Sequence, residues 1–228
     1  MKSILNQALI LCGGKGERLR PLTNKIPKPL INIDDRPILG HQIDYLLRNG
    51  IDNFLIATGY KSGLIEEFIR AHYSHVNIKI LNHGDVDIYS RIQKSFKFLN
   101  KYFLVCYGDT LANIDIKKLQ HFHLLHKSST TVSSYQLQTQ FGVLETNQDY
   151  CVTSFKEKPL LDAWINIGYF IFEKKKLSKD SISFADYLTQ LSQMKELYAY
   201  KHSGIHITIN TLTELKKAKK EIKNFKGS

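Results

Sequence analysis

An apolar run near the amino terminus ends in a cluster of glycines and arginines. Leu9-Ile10-Leu11-Cys12 passes directly into Gly13-Gly14-Lys15-Gly16-Glu17-Arg18-Leu19-Arg20-Pro21. Glycine permits left-handed backbone and close approach, so successive N–H groups can form a concavity for an anion. Arg18 adds a forked donor that matches phosphate oxygens. A Walker loop is excluded, because Lys15 is followed by Gly16 rather than by the Ser or Thr that holds magnesium. A dinucleotide fingerprint fits poorly, since its third glycine falls on Leu19. An ordinary tight turn with glycines for shape alone stays open at this level.

Further along the chain stand other groups suited to charge. Lys28 lies between Pro27 and Pro29, which stiffen the chain around a single cation; a solvated loop lysine is the plainer reading. Tyr107-Gly108-Asp109 closes an apolar run, where a carboxylate can reach a magnesium ion bridging phosphates. Capping of the next turn is the alternative for Asp109. Phe155-Lys156-Glu157-Lys158-Pro159 places opposite charges side by side, as surface ion pairs commonly do. Asn166 sits within Trp164-Ile165-Asn166-Ile167-Gly168, one amide among apolar neighbours, and needs a sugar hydroxyl or a backbone group as partner.

These residues need a frame. The pattern predicts strands at 7–12, 53–58, 77–81 and 102–106. Helices are expected at 38–48, 63–71, 88–99 and 116–126, with Ser62 capping the second of them. This alternation predicts an α/β fold with a doubly wound, mostly parallel (Rossmann-like) sheet flanked by helices. Ligands in such sheets sit at the carboxyl ends of the strands, where Gly13 and Asp109 fall. The second half reads as shorter strands at 130–137, 142–145, 152–156 and 164–172. They extend the sheet and form a smaller β-rich substrate region. No linker breaks the 228 residues, so one domain is expected, with halves 1–127 and 128–228.

Composition narrows the class. Cys12, Cys106 and Cys151 are odd in number and set in strand-like runs, so buried reduced thiols in the cytoplasm are expected. The start of the chain leads into a strand rather than a signal peptide, and no apolar run reaches membrane-spanning length. The formal net charge is +11, and six lysines crowd 216–226. Leu212, Leu215, Ala218, Ile222 and Phe225 interleave with them at helical spacing, which predicts a terminal helix with a solvated basic face. No zinc finger, helix-turn-helix or ribonucleoprotein sequence accompanies the charge, so nucleic acid is not expected as a partner.

Taken in order, Gly-Gly-x-Gly-x-Arg-Leu-x-Pro-Leu-Thr, Pro-Lys-Pro-Leu, Tyr-Gly-Asp, Phe-Gly-Val-Leu-Glu, Phe-Lys-Glu-Lys-Pro and Trp-Ile-Asn-Ile-Gly resemble the sugar-1-phosphate nucleotidyltransferases. Pro37–His41 and Phe54–Lys61 look most like the glucose-1-phosphate cytidylyltransferase branch. The resemblance covers nearly the whole chain. It implies that Leu11, Gly13, Gly14, Gly16, Ser90 and Gly108 hold a nucleoside triphosphate, with CTP favoured. It also implies that Arg18 and Lys28 neutralise the phosphates at the reacting centre, and that Asp109 and Asn210 hold magnesium. Glu157, Lys158 and Asn166 would receive the sugar 1-phosphate. GTP or UTP with another phosphorylated sugar is the alternative within the class; a nucleotide-binding protein with weak catalysis is the alternative outside it. A homo-oligomer is compatible with the resemblance.

Two positions depart from the family pattern. Asp87-Ile88-Tyr89-Ser90-Arg91 replaces a Thr-Gly-Gly-like turn, and Tyr89 is expected to fill space near the base or sugar. Asn210 stands where relatives carry an aspartate.

Overall fold

The computed structural model describes residues 4–180 and 182–227. Its frame is one seven-stranded sheet drawn from both halves of the chain. In chain order the strands are β1 (Gln7–Cys12), β2 (Asn53–Thr58), β3 (Asn77–Asn82), β4 (Tyr102–Tyr107), β5 (Thr130–Gln138), β6 (Leu160–Glu173) and β7 (Leu197–His202). Across the sheet they run β7-β5-β6-β4-β1-β2-β3. Only β6 is antiparallel to its neighbours, so the expected mostly parallel sheet is present.

The central strands β1, β2 and β4 read as apolar because both faces of the sheet are covered there. Ala8, Ile10 and Cys12 face helices α1 (Ile38–Arg48), α2 (Ser62–His72) and α4 (Ile116–His126), through Leu39, Ile43, Ile65 and Leu119. Leu9, on the other face, packs with Tyr89 and Ile92 of α3 (Ile88–Lys94) and with Phe184, Tyr187 and Leu191 of α5 (Phe184–Gln193). A third cluster joins Leu19, Ile31 and Ile33 to Leu215, Ala218, Ile222 and Phe225 of α6 (Leu212–Lys226). Those four residues are the predicted apolar face; Leu212 instead stays exposed. Among the described residues, no helix is long and apolar enough to cross a membrane.

Several expectations need correction. Ser62 does not cap α2: Lys61 holds that position in left-handed backbone, and the Ser62 hydroxyl pairs with Thr58 and Glu66 instead. The predicted helix over 88–99 ends at Lys94, and a separate 3-10 turn follows at Phe96–Phe98. The helix α5 and the strand β7 were not expected. Cys151 is exposed, because the hairpin of Val143–Thr146 and Val152–Lys156 stands away from the core.

Candidate active site

Register brings the two strand ends together. β1 and β4 pair in parallel, with Leu11 opposite Tyr107, so the chain leaves both strands side by side. The Gly108 N–H donates to the Leu11 carbonyl at 3.0 Å. A β-carbon at position 108 would lie 2.6 Å from the Cys12 sulfur, so only glycine lets the turns approach this closely. The Gln42 amide fixes the second turn by donating to the Tyr107 and Thr110 carbonyls, each at 3.0 Å. Asp109 is thereby held beside the glycine loop.

The loop itself is pinned from below. Gly16 is left-handed (φ 63°), and its carbonyl accepts from the Thr23 hydroxyl at 3.0 Å. The Gly13 carbonyl accepts from the Tyr60 N–H at 3.2 Å. The Lys28 stem packs against Gly16, where a β-carbon would stand 3.1 Å away. Pro27 is extended and Lys28–Leu30 forms one 3-10 turn, so the prolines do hold the lysine in fixed backbone.

Four polar side chains then converge. Lys28 is 8% exposed, and its ammonium lies 2.5 Å from the Asp109 carboxylate and 3.0 Å from the Asn210 side-chain oxygen. Arg18 donates to that same Asn210 oxygen at 2.9 Å. Asn210 is set by α6: Thr211 and Glu214 form a capping box, and Glu214 also accepts from the Asn210 N–H at 2.5 Å. One anionic and one neutral oxygen therefore meet on the buried Lys28 ammonium. Among the described residues no group of three or more His, Cys, Asp or Glu could hold a metal ion. Asp109 and Asn210 have the oxygen chemistry a hard cation such as magnesium would need, and such an ion would draw its other ligands from phosphates and water. Burial and the nearby Asp109 charge push the Cys12 thiol well above its ordinary range, so it is inert here.

A cleft of about 950 Å³ opens over this cluster. Leu11, Gly13, Gly14, Gly16 and Gly108 line it, as do Arg18, Lys28, Asp109, Asn166 and Asn210. Three predicted residues lie elsewhere. Ser90 is turned to Asp87, whose carboxylate caps α3 by accepting from the Tyr89 and Ser90 N–H groups. Glu157 and Lys158 are exposed where the hairpin returns to β6, 3.7 Å from each other, and do not line the cleft. Asn166 lines the wall but is exposed rather than buried; its oxygen accepts from the Gly168 N–H at 2.8 Å.

Tyr89 corrects a second expectation. It is fully buried on the far face of the sheet, stacked on Tyr187 at 4.5 Å, with its hydroxyl donating to the Ser178 carbonyl. The helical turn that buries Tyr89 sends Arg91 toward the cleft. Arg91 is 4% exposed and donates to the carbonyls of Thr58, Gly84 and Val86. Its guanidinium fills the space beside Gly13. Desolvation depresses its basicity somewhat. The sequence offered one signal for this residue: Asp87 as a cap fixes the phase of the following turn. At the rim, Lys15 pairs with Asp85 at 2.7 Å and ties the glycine loop to this same segment.

Comparison with known proteins identifies the family and the fold. Residues 7–201 match the family described as nucleotidyl transferase. A Bacillus subtilis protein named "probable glucose-1-phosphate cytidylyltransferase" is 32% identical, over 92% of this chain and 93% of its own length. A D-glycero-alpha-D-manno-heptose 1-phosphate guanylyltransferase from Aneurinibacillus thermoaerophilus is 30% identical, over 96% and 99%. The crystal structure of HddC from Yersinia pseudotuberculosis superposes with a TM-score of 0.76 at 23% identity, covering 95% of this chain and 99% of that one. That likeness bears on the fold.

Proposed function

The chain belongs to the nucleotidyl transferase family, and from that premise we propose that it joins a nucleoside monophosphate to a sugar 1-phosphate and releases pyrophosphate. The observation that carries this reading is the convergence of Arg18, Lys28, Asp109 and Asn210 on one point under a glycine loop. An anionic sugar phosphate needs no protein nucleophile; its oxygen attacks the α-phosphorus in line as pyrophosphate leaves. The protein's task is position and charge. The loop N–H groups hold the triphosphate. Lys28, fixed by Gly16 and Pro27, meets the charge that builds on the α-phosphate, and Arg18 neutralises the leaving side. Asp109 and the Asn210 carbonyl would hold a magnesium ion, which when bound screens the phosphates from each other.

CTP is the favoured donor, supported by the likeness to the cytidylyltransferase branch. GTP is the competing donor, and the Aneurinibacillus relative favours it. Asn166 faces the acceptor end of the cleft. Glu157 and Lys158 serve the sugar phosphate if the hairpin folds inward when the acceptor binds.

Pyrophosphate release tests the reading, with each nucleoside triphosphate offered alongside magnesium and a panel of sugar 1-phosphates. The expected result is release that needs both substrates and is fastest with CTP. Fastest release with GTP reassigns the donor. Nucleotide binding without turnover across the panel makes the chain a binding protein.

A further inference from the structure

The amino end of β4, opposite the cleft, carries a basic and aromatic patch. Its centre is the connection from α3 to β4, where Phe96, Lys97, Phe98 and Lys101 lead into Tyr102. Lysines lie over all three rings. The Lys174 ammonium stands 4.7 Å from the centre of the Phe96 ring. Those of Lys79 and Lys97 stand 4.3 and 4.9 Å from Phe98, and that of Lys101 stands 5.0 Å from Tyr102. Three elements supply these cations: β3, the α3–β4 connection and the 3-10 turn Lys174–Lys176 after β6. The Lys174 N–H donates to the Lys101 carbonyl and its ammonium to the Leu99 carbonyl, each at 2.8 Å, which fixes that turn against the connection. The patch is therefore assembled by the fold, not by one run of sequence.

Its charge is open to a partner. Among the described residues, Lys79, Lys97, Lys101 and Lys174 form no ion pair with a carboxylate. The neighbouring Glu173 is buried and paired with Lys175 at 3.2 Å. Lys79, Lys97 and Lys101 are exposed, and Phe96 is 39% exposed, so an apolar ring stands at the surface among cations.

This chemistry narrows the partner. The ammonium groups are laid over three different rings rather than turned to one point, which suits an extended array of negative charge over one small anion. A single nucleic-acid strand stacks its bases on open aromatic faces, and arginine forks read base edges. Here the rings already carry ammonium groups, and every cation over them is a lysine. An anionic lipid surface asks only for charge at no fixed spacing and an apolar group to enter the headgroup region.

We propose that this patch docks the protein reversibly on an anionic lipid bilayer, with the cleft turned away from the surface. The six residues of β4 run from Tyr102 at the patch to Tyr107 at the cleft. At strand rise they hold the two apart by roughly 20 Å, so the cleft mouth stays in water while the patch is engaged.

Vesicle flotation of the intact protein at physiological ionic strength tests this. Binding is expected to an equal mixture of phosphatidylcholine and phosphatidylglycerol, and not to phosphatidylcholine alone. Lys79→Gln, Lys97→Gln and Lys101→Gln together should weaken binding by at least about tenfold. Phe96→Ser removes no charge and should weaken it by about threefold through the lost apolar contact. Lys216→Gln, Lys219→Gln and Lys220→Gln together remove the same charge from the exposed face of α6 and should leave binding within about twofold. A thermal melt of each variant verifies its fold. Absence of binding to the mixed vesicles, or equal weakening by the two triple variants, overturns the proposal. Single-stranded RNA bound more tightly than the vesicles, and lost in the patch variant, makes the partner a nucleic acid and also overturns it. Nucleotidyl transfer stands in each case.

Discussion

The guanidinium of Arg91 occupies the space that any side chain at Gly13 would need: a β-carbon there would lie 2.0 Å from the central guanidinium carbon. Arg91 cannot retreat easily, because its donors hold the carbonyls of Thr58, Gly84 and Val86. Gly13→Ala should therefore displace either the loop or the arginine. We expect nucleotide affinity to fall at least tenfold, with a stability loss of about 1–3 kcal/mol from overpacking. Calorimetric titration with nucleotide and a denaturant melt measure the two effects. Unchanged affinity would show that the Gly13 backbone does not contact nucleotide.

In the proposed magnesium site Asn210 would supply a neutral oxygen where a carboxylate would bind a hard cation more tightly. Asn210→Asp adds that charge beside Lys28 and Arg18, which already donate to this oxygen. The magnesium concentration for half-maximal rate should drop several-fold. A titration curve that does not move would take position 210 out of the metal site.

Lys28 supplies charge that Met cannot, while Met keeps the stem over Gly16. Lys28→Met should lower kcat by about 10²–10³, the range seen when one preorganised donor to a developing charge is removed. The melting temperature should change little by comparison. A rate within threefold of the parent would remove Lys28 from the reacting centre.

His123 predicts an acid sensitivity that has nothing to do with catalysis. It is buried, packed against the Thr131 and Ser128 hydroxyls at 2.9 and 3.3 Å, and burial pushes its pKa down to about 4 from 6.5. Above pH 6.5 the ring is neutral both folded and unfolded, so the full stability is present. As the pH falls from 6.5 to 4 the unfolded chain takes up the proton first, and stability is lost; below 4 the loss levels off. One such group is worth at most about 3 kcal/mol. Denaturant midpoints across this range measure it, and His123→Gln should flatten part of the slope. A parent midpoint that is level from pH 7 to 4 contradicts the buried neutral ring.

The parts legible from sequence share a physical cause. β1, β2, α1 and α4 were placed to the residue, because two-sided burial writes an apolar run and one-sided burial writes a helical stripe. The convergence of Lys28 with Asp109 and Asn210 spans 81 and 182 residues, so spacing could not show it; only the resemblance pointed there. Tyr89 was misplaced because it was compared with the glycine of the family's turn, whereas α3 turns its ring into the core against Tyr187. The missed helix α5 did carry a signal: Ser183 caps it by accepting from the Asp186 N–H. The missed strand β7 lies at the sheet edge, where Leu197-Tyr198-Ala199-Tyr200-Lys201-His202 is half wet and carries no apolar run. Cys151 was misread because it adjoins a strand-like run, Val152–Lys156, whose side chains are mostly exposed.

The fourteen-residue strand β6 is clamped at one end only. Its carboxyl half, Tyr169–Glu173, is wedged between β4 and β5, whereas its amino half is ladder-bonded to β5 alone. It is a cantilever: the root belongs to the globule and the free end bears the proposed acceptor region, with Gly168 and the Asn166 bulge as the joint. Mutational tolerance should follow that division, with substitutions outward of the joint retuning which sugar is accepted and substitutions inward of it unfolding the protein.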